Sequence, residues 1–172
     1  MKSMINNSLK LDDRDLKILT ILQNEGRITK AALAERVNLS PTAAWDRLHR
    51  LEGAGIIDGY GAHVSLKALG PFSMVFVEAE LDNHHSEDFL RFEQAISTIP
   101  EIIGCWAVGG GIDYLLQVVT SNLEHYQSLV DELLEARVGL KRYYTYAVTK
   151  QIKNSPLPLA TLINPDQPKD RR

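Results

Sequence analysis

Residues 29–60 read TKAALAERVNLSPTAAWDRLHRLEGAGIIDGY, and this stretch carries the strongest structural signals in the N-terminal part of the chain. Thr29 and Ser40 are good helix N-caps, and Pro41 follows at a first helical position, where its missing N–H costs nothing. Asn38 stands between the two helices, where the turn needs a residue that tolerates positive φ. The pattern predicts two short helices around a tight turn, as in a helix-turn-helix.

The second predicted helix, residues 41–52, has two different faces. Ala44, Leu48 and Leu51 recur at helical spacing and are expected to pack inward. The opposite face and its flanks carry small, hydroxyl and basic side chains, which suit a DNA duplex because arginine pairs with guanine or phosphate and small residues allow close approach. The predicted DNA-binding residues are Ser40, Thr42, Ala43, Asp46, Arg47, His49 and Arg50.

Two points about this helix follow from its pattern. Arg47 and Arg50 are expected to point away from the core, so replacing both with alanine should weaken DNA binding and leave the fold intact. Trp45 either packs at the edge of the core or touches DNA. An ordinary helical hairpin with a solvated charged face is the alternative reading of the helix taken alone.

The flanking residues complete a small domain. Asp12 can cap a preceding helix, with Leu11 and Leu16 as a hydrophobic staple. Downstream, two short apolar segments surround Asp58 and Gly59, which predicts a β-hairpin wing. The sequence therefore predicts a winged helix-turn-helix DNA-binding domain over residues 9–64 and a linker over residues 65–72.

The second half predicts a different architecture. Alternating apolar residues indicate strands at 74–81, 102–108, 113–119 and 141–150, and helical spacing indicates a helix after the first and third strands, with Ser86 as the cap of the first. This order predicts a ferredoxin-like βαββαβ domain over residues 73–153, a C-terminal tail over 154–172 and an α+β fold class overall. One sheet face lacks helices, and we expect dimerisation through it, with Ile103, Cys105, Tyr144 and Tyr146 among the contributing side chains.

The amino-acid composition limits the kinds of partner that the protein is expected to bind. Residues 1–64 hold nine Lys or Arg against eight Asp or Glu, and the remainder holds ten against fourteen. With a pI near 5.9, the chain is not a strong nonspecific coater of DNA, so DNA binding should be local and strengthened by multivalency. The lone Cys105 predicts a buried small hydrophobe rather than a redox group. Neither a signal-like N-terminus nor a long apolar span occurs, so a cytoplasmic protein without a membrane partner is expected.

Catalysis is the main alternative class of function for a chain of this fold. His84, His85, Glu87 and Asp88 are rich in metal-ligating groups, but adjacent residues do not converge easily on one ion, and the acidic pair suits the start of a helix. The sequence contains no Walker-type loop, nucleophile elbow or spaced ligand set. We therefore expect no catalytic residue, no metal site and no cofactor.

The motifs LDDRDLKILTILQNEGRIT, LSPTAAWDRLHRLE, GIIDGY, GGGIDYLLQV and PLPL follow one another along residues 11–159. In this order and spacing they resemble the Lrp/AsnC family of leucine-responsive and asparagine regulators. The resemblance covers roughly residues 9–160. It implies a winged helix-turn-helix joined by a linker strand to a RAM domain, dimers that often form tetramers or octamers, and transcription control by small molecules, commonly amino acids.

A glycine-rich loop corresponds to the effector-responsive turn of that family. Its residues can expose backbone N–H groups to a ligand carboxylate, and Asp113 can meet an ammonium group, although a strand turn that needs positive φ explains the glycines equally well. The predicted effector-binding residues are Gly109, Gly110, Gly111, Ile112, Asp113 and Tyr114. The predicted function is a sequence-specific regulator of amino-acid or related metabolism, with a nucleoid-architectural protein under little effector control as the alternative.

Overall fold

The computed structural model describes residues 9–163, apart from the side chain of Lys67. The tail at residues 164–172, which the sequence predicts to be flexible, lies outside the described residues. The described chain divides into two compact units, one formed by residues 9–63 with 153–163 and the other by residues 64–152. Each unit has its own hydrophobic core.

Three helices form the N-terminal unit: α1 (Asp13–Asn24), α2 (Lys30–Arg36) and α3 (Pro41–Gly53). Asp12 caps α1 in a capping box, in which Asp12 and Asp15 each accept a hydrogen bond from the other's backbone N–H. The predicted caps Thr29 and Ser40 are confirmed, since each accepts a bond from the backbone three residues on. Ile18, Leu51 and their neighbours from all three helices form the core.

The predicted turn between α2 and α3 is confirmed at Asn38. This residue has φ 54°, and its N–H donates to the Glu35 carbonyl while the Leu39 N–H donates to the Ala34 carbonyl. These two bonds form a Schellman motif, which ends α2 and turns the chain toward α3. Ala34 is buried where the helices pack, as its small size predicts.

The strands predicted for the wing hairpin do not form in the described structure, since residues 55–64 contain no strand. Gly55 and Ile56 end α3 in a second Schellman motif, with Gly55 at φ 68° and the Ile56 N–H donating to the Leu51 carbonyl. Ile56, which belongs to the first apolar segment predicted for the wing, therefore takes part in ending α3. The implied linker strand is also absent between residues 65 and 72, where a single helical turn, α4 (Leu66–Leu69), forms instead.

The end of the described chain belongs to the N-terminal unit, which no sequence signal indicated. A short helix, α7 (Leu159–Ile163), follows an extended segment, and Leu159 packs against the core formed by α1 to α3. Among the described helices, none is long and apolar enough to cross a membrane.

The C-terminal unit confirms the ferredoxin-like prediction. It consists of β1 (Ser73–Leu81), α5 (Ser86–Ser97), β2 (Ile102–Ala107), β3 (Tyr114–Thr120), α6 (Leu123–Glu135) and β4 (Leu140–Ala147). The sheet order is β2-β3-β1-β4, and every pair is antiparallel. The predicted cap Ser86 is wrong by one residue, since His85 is the N-cap of α5 and makes no side-chain cap bond.

The core of this unit lies between one sheet face and the two helices. Val75, Val77, Ala79 and Leu81 alternate along β1 and are all buried, as their spacing predicts. Phe92 from α5 and Val130 from α6 pack against them. The other sheet face carries no helix of this unit, so its side chains are the ones left for a partner.

Candidate DNA interface and effector loop

The outward face of α3 carries the exposed polar side chains that the sequence predicts. Ser40, Thr42, Asp46 and His49 are exposed, Ala43 is half-buried, and Ala44, Leu48 and Leu51 are buried on the opposite side. Thr42, Asp46 and His49 are spaced by four and three residues, so they lie in one strip along the helix. We call these three residues the α3 strip.

Arg47 and Arg50 require a correction. Both lie on α3, but their guanidinium groups bond to carboxylates of α1 and not to solvent alone. Arg47 Nη1 lies 2.8 Å from Asp15 Oδ1 and 2.7 Å from Asp12 Oδ2, and Arg50 Nη2 lies 2.6 Å from Asp15 Oδ2. Asp15 is 0% exposed, so the arginines neutralise a buried charge. Replacing both is therefore not neutral for the fold.

The same contacts change the ionisation of two of these groups. The backbone N–H of Asp15 and then the Arg47 guanidinium hold the pKa of Asp12 below its ordinary value. Hydrogen bonds to Asp12 and Asp15 raise the pKa of Arg47. Both shifts favour the charged forms, which keeps the pair ionised at neutral pH.

Trp45 packs at the edge of the core, on the flank of α3 that His49 shares. Its ring centroid lies 3.9 Å from that of His49, and the ammonium of Lys30 lies 3.0 Å from the ring centroid. Lys30, an exposed cation at the start of α2, was not predicted as part of the site. The only indication of Lys30 in the sequence is that this basic residue directly follows the helix cap Thr29.

The predicted effector loop joins β2 to β3. Gly109, Gly110 and Gly111 are exposed, Ile112 is half-buried, and a Cβ added to any of the three glycines would meet open space. Only Gly110 has a φ that disfavours other residues, at +142°. The turn itself therefore requires one glycine, and the other two leave backbone open to solvent.

Asp113 fixes the end of this loop. Its Oδ2 accepts the Leu81 N–H at 2.8 Å, and its Oδ1 lies 3.0 Å from His84 Nε2. Its backbone N–H donates to the Ala79 carbonyl at 3.0 Å. The carboxylate is thus used to tie the loop to the end of β1, a role that the sequence analysis did not assign to it.

Tyr114 differs from the prediction. Its side chain is 2% exposed, faces the helices and donates its hydroxyl to Glu93 at 2.8 Å, so it is not open to a ligand on the exposed loop. Burial, followed by the Glu93 carboxylate, raises the pKa of this hydroxyl well above its usual range. Tyr114 lines a cavity of about 290 Å³ with Glu93, Ser97 and Cys105, at the side of β2 next to the helices.

Cys105 also differs from the prediction, since it is exposed and lies on the helix side of β2. A bulge between Ile102 and Gly104 inserts one residue, so that Ile102 pairs with Val118 and Cys105 with Leu116, both on the helix side. Partial burial, with a smaller contribution from Glu93, raises the pKa of its thiol.

The bulge places Trp106 on the helix-free sheet face, where it pairs with Leu115. Trp106, Tyr144 and Tyr146 are each about half exposed on this face, and we call them the sheet-face aromatics. A Cβ at Gly104 would lie 2.6 Å from the indole, so the glycine makes room for the ring. Tyr144 and Tyr146 were predicted here, and Trp106 was missed.

The histidine and acidic residues around the start of α5 do not form one cluster. His84 bonds to Asp113, and Asp88 bonds to Arg91. Within the described residues, no group of three His, Cys, Asp or Glu side chains is placed to hold a metal ion.

A helix-turn-helix with an exposed polar strip, joined to a ferredoxin-like unit with an open glycine loop, defines a class of DNA-binding transcriptional regulator. The model of the winged helix-turn-helix DNA-binding family matches residues 11–58, and the model of the Lrp/AsnC ligand binding domain matches residues 74–158. The chain belongs to the Lrp/AsnC family of transcriptional regulators.

Relatives agree with this assignment. The chain is 49% identical to the transcriptional regulatory protein DoeX of Halomonas elongata over 145 residues, which cover 84% of this chain and 92% of the relative. It is 37% identical to the leucine-responsive regulatory protein of Escherichia coli over 145 residues, covering 84% and 88%. A transcriptional regulator of Neisseria meningitidis, solved as an L-Met complex, superposes with a TM-score of 0.83 at 33% identity, covering 89% of this chain and 99% of that one.

Proposed function

We propose that this chain is a sequence-specific DNA-binding regulator of amino-acid or related metabolism, and that an amino acid or a close derivative modulates it. The observation that carries the DNA-binding part is the exposed α3 strip on a helix fixed by the Asn38 turn and the Ser40 cap. A helix presented in this way can enter the major groove, with its N-terminal residues near the bases.

Within that proposal, Thr42 and His49 supply hydrogen-bonding groups to the duplex, Ser40 lies at the helix end that favours phosphate, and Ala43 permits close approach. Arg47 and Arg50 act differently, because Asp15 already holds them. Two copies of α3 in a dimer would contact half-sites one helical turn apart, roughly 34–36 Å, or a multiple of that distance.

The test uses the exposed strip alone. The double variant Thr42→Ala, His49→Ala is expected to bind a selected operator duplex more weakly by roughly 100-fold or more. Each lost hydrogen bond contributes about 1 kcal/mol, and a dimer loses two in each protomer. Binding is measured by gel shift at fixed salt, on a duplex that the wild-type chain has enriched from a random pool.

The control is Thr42→Ser, His49→Gln, which keeps a hydroxyl and a polar donor at the same exposed positions. It should retain most of the affinity. Both variants should unfold close to the wild-type temperature, since the alanine variant loses only an exposed ring contact of His49 with Trp45. Equal affinity of the alanine variant and the wild type would remove the strip from DNA recognition. Enrichment of many weak, unrelated duplexes in place of few strong ones would favour the architectural alternative.

The proposed effector site is the loop of residues 109–114 with its surroundings. Exposed glycine backbone can donate N–H groups to a carboxylate, and the nearby cavity offers the Glu93 carboxylate to an ammonium group. A carboxylate and an ammonium are the two groups that every free α-amino acid carries. The N. meningitidis regulator with bound L-Met supports an amino acid as the chemical class.

The loop prediction compares two neighbouring glycines. Gly110→Ala is expected to reduce the effector's influence on operator affinity, because alanine disfavours φ +142° and the loop must rearrange. Gly111→Ala meets open space at an ordinary φ and should keep that influence. Effectors are first found by thermal-shift screening of amino acids, including methionine, and their catabolic intermediates.

The coupling is then measured as the ratio of operator affinities with and without the effector. A coupling of about 1–3 kcal/mol corresponds to a ratio of roughly 5–150 in the wild type. A ratio that survives in Gly110→Ala would place the effector elsewhere. A screen in which no compound changes stability, assembly or affinity would contradict effector control.

Self-association is the third part of the proposal. On the helix-free sheet face, the sheet-face aromatics lie beside the half-buried Phe76, Leu115 and Val119. A second copy of the same face is the partner that matches this mixture of aromatic and aliphatic groups. Such a dimer would also supply the two copies of α3 that an inverted repeat requires.

A further inference from the structure

Two carboxylates at the start of α1, from its cap Asp12 and from Asp15, form one charge-balanced cluster with two guanidinium groups of α3. Asp15 accepts from both Arg47 and Arg50, and Asp12 accepts from Arg47. Asp15 has no exposed surface, while Arg47 and Arg50 keep 25% and 43% of their side-chain exposure. We call these four residues the α1–α3 charge cluster.

The α1–α3 charge cluster lies beside the helix face that is proposed to contact DNA. Arg50 lies one helical turn after Asp46, next to the α3 strip, and Arg47 lies on the flank of the same helix. Arginine at such positions is well suited to phosphate or guanine. Here each guanidinium is already bonded at 2.6–2.8 Å, and its release would leave the buried Asp15 without a counter-charge.

Because the N-terminal unit has almost no excess of cations, the state of these two arginines strongly affects its nonspecific binding to DNA. Residues 1–64 carry only one more Lys or Arg than Asp or Glu. Sequence-independent binding to DNA depends mainly on cations that neutralise phosphates and release counterions. Two arginines held by aspartates at the DNA-facing helix therefore contribute little to binding that ignores sequence.

We propose that Asp12 and Asp15 restrict nonspecific DNA binding by holding the two arginines of the cluster away from phosphates. The arginines then act as positioning residues, which hold α3 against α1. The inference rests on the proposed role of α3 in DNA binding. It predicts that removing a restricting carboxylate frees an arginine for phosphate and lowers the preference for operator over other DNA.

Asp12→Asn is the sharpest test because asparagine also caps helices well, so the cap is kept while one of the two carboxylate charges that hold Arg47 is lost. Asp13→Asn is the matched control. It removes one charge in the same turn, and Asp13 joins no ion pair among the described residues. Full-length chains are titrated with a scrambled duplex and with an operator duplex selected by the wild type, over a range of salt concentrations.

For Asp12→Asn, we expect up to roughly tenfold tighter binding per protomer to the scrambled duplex at about 0.05 M salt. The slope of log affinity against log salt should be steeper by up to about 0.9 per protomer, the value for one added phosphate contact. Operator binding should gain less, so the ratio of the two affinities falls. Asp13→Asn should leave the slope and the ratio near their wild-type values. Identical behaviour of the two variants would overturn the inference.

The reverse experiment removes the arginines. In Arg47→Ala, Arg50→Ala, the slope for the scrambled duplex should match the wild type, while the unfolding temperature should fall by about 10 °C or more because Asp15 is left buried and unpaired. A slope that falls by about 1.8 per protomer would mean that both arginines contact phosphates in the wild type, and would overturn the inference.

The two proposals fail in different ways. A wild-type chain that enriches no duplex from the pool overturns the proposed DNA binding, and this inference with it. Successful enrichment with an unchanged Asp12→Asn affinity ratio overturns the inference alone. If the arginine variant does not fold, the Asp12→Asn comparison still decides the question.

Discussion

Replacing Phe92 with alanine is expected to lower the free energy of unfolding of the C-terminal unit by about 3–5 kcal/mol. Phe92 is 0% exposed, lies between α5 and the sheet, and has its ring centroid 4.7 Å from that of Tyr114. Truncation removes its burial and leaves a cavity between two packed layers. Because domains are stable by only about 5–15 kcal/mol, this loss is a large fraction of the total.

The measurement can follow the C-terminal unit by itself. The chain has two tryptophans, Trp45 in α3 and Trp106 in β2, so a Trp45→Phe background leaves Trp106 as the fluorescent reporter of the C-terminal unit. Leu90→Ala is the matched control, since Leu90 lies on the same helix and is mostly exposed; it should change stability by less than about 0.5 kcal/mol. Similar losses in the two variants would contradict the assignment of Phe92 to the core.

Trp106→Asp is expected to abolish self-association at micromolar concentration. Trp106 is 48% exposed on the helix-free sheet face, and a buried interface tryptophan typically contributes 2 kcal/mol or more, so the dissociation constant should rise by at least about 30-fold. The aspartate also places a charge in each of the two facing surfaces. Sedimentation over a concentration series measures the effect.

Leu123→Asp is the control for added charge. Leu123 is an equally exposed apolar residue, but it begins α6, where an aspartate favours the helix N-terminus. This variant should assemble like the wild type, and circular dichroism should show both variants folded. Wild-type assembly by Trp106→Asp, or a monomeric wild-type chain, would contradict the proposed interface.

Much of the fold was predictable because its signals are local. A cap such as Thr29 or Ser40 acts on a backbone N–H three residues away, and Asn38 and Pro41 restrict their own backbone angles. The alternation along β1 is likewise a property of neighbouring residues. The outward positions of Thr42, Asp46 and His49 follow from helical periodicity, so this part of the site was predicted as well.

The wrong predictions for β2 arise because one inserted residue changes the sheet face on which the following side chains lie. Strict alternation from Ile102 places Cys105 on the face opposite to Ile102. The bulge between Ile102 and Gly104 returns Cys105 to the same side and moves Trp106 to the helix-free face. A bulge depends on pairing with β3, which begins at Tyr114, beyond the loop, so alternation along β2 did not reveal it.

The starts of α1, α2 and α3, the βαββαβ order and the α3 strip could be predicted from the sequence alone, because each depends on residues within about one helical turn or one strand. Only the tertiary structure decided the partners of Arg47 and Arg50, which lie 32 to 35 positions from Asp15 and meet it when α3 packs on α1. It also decided that Asp113 ties the effector loop to the end of β1. Helical periodicity gives the direction of a side chain, but its hydrogen-bond partner depends on which distant segment packs beside it.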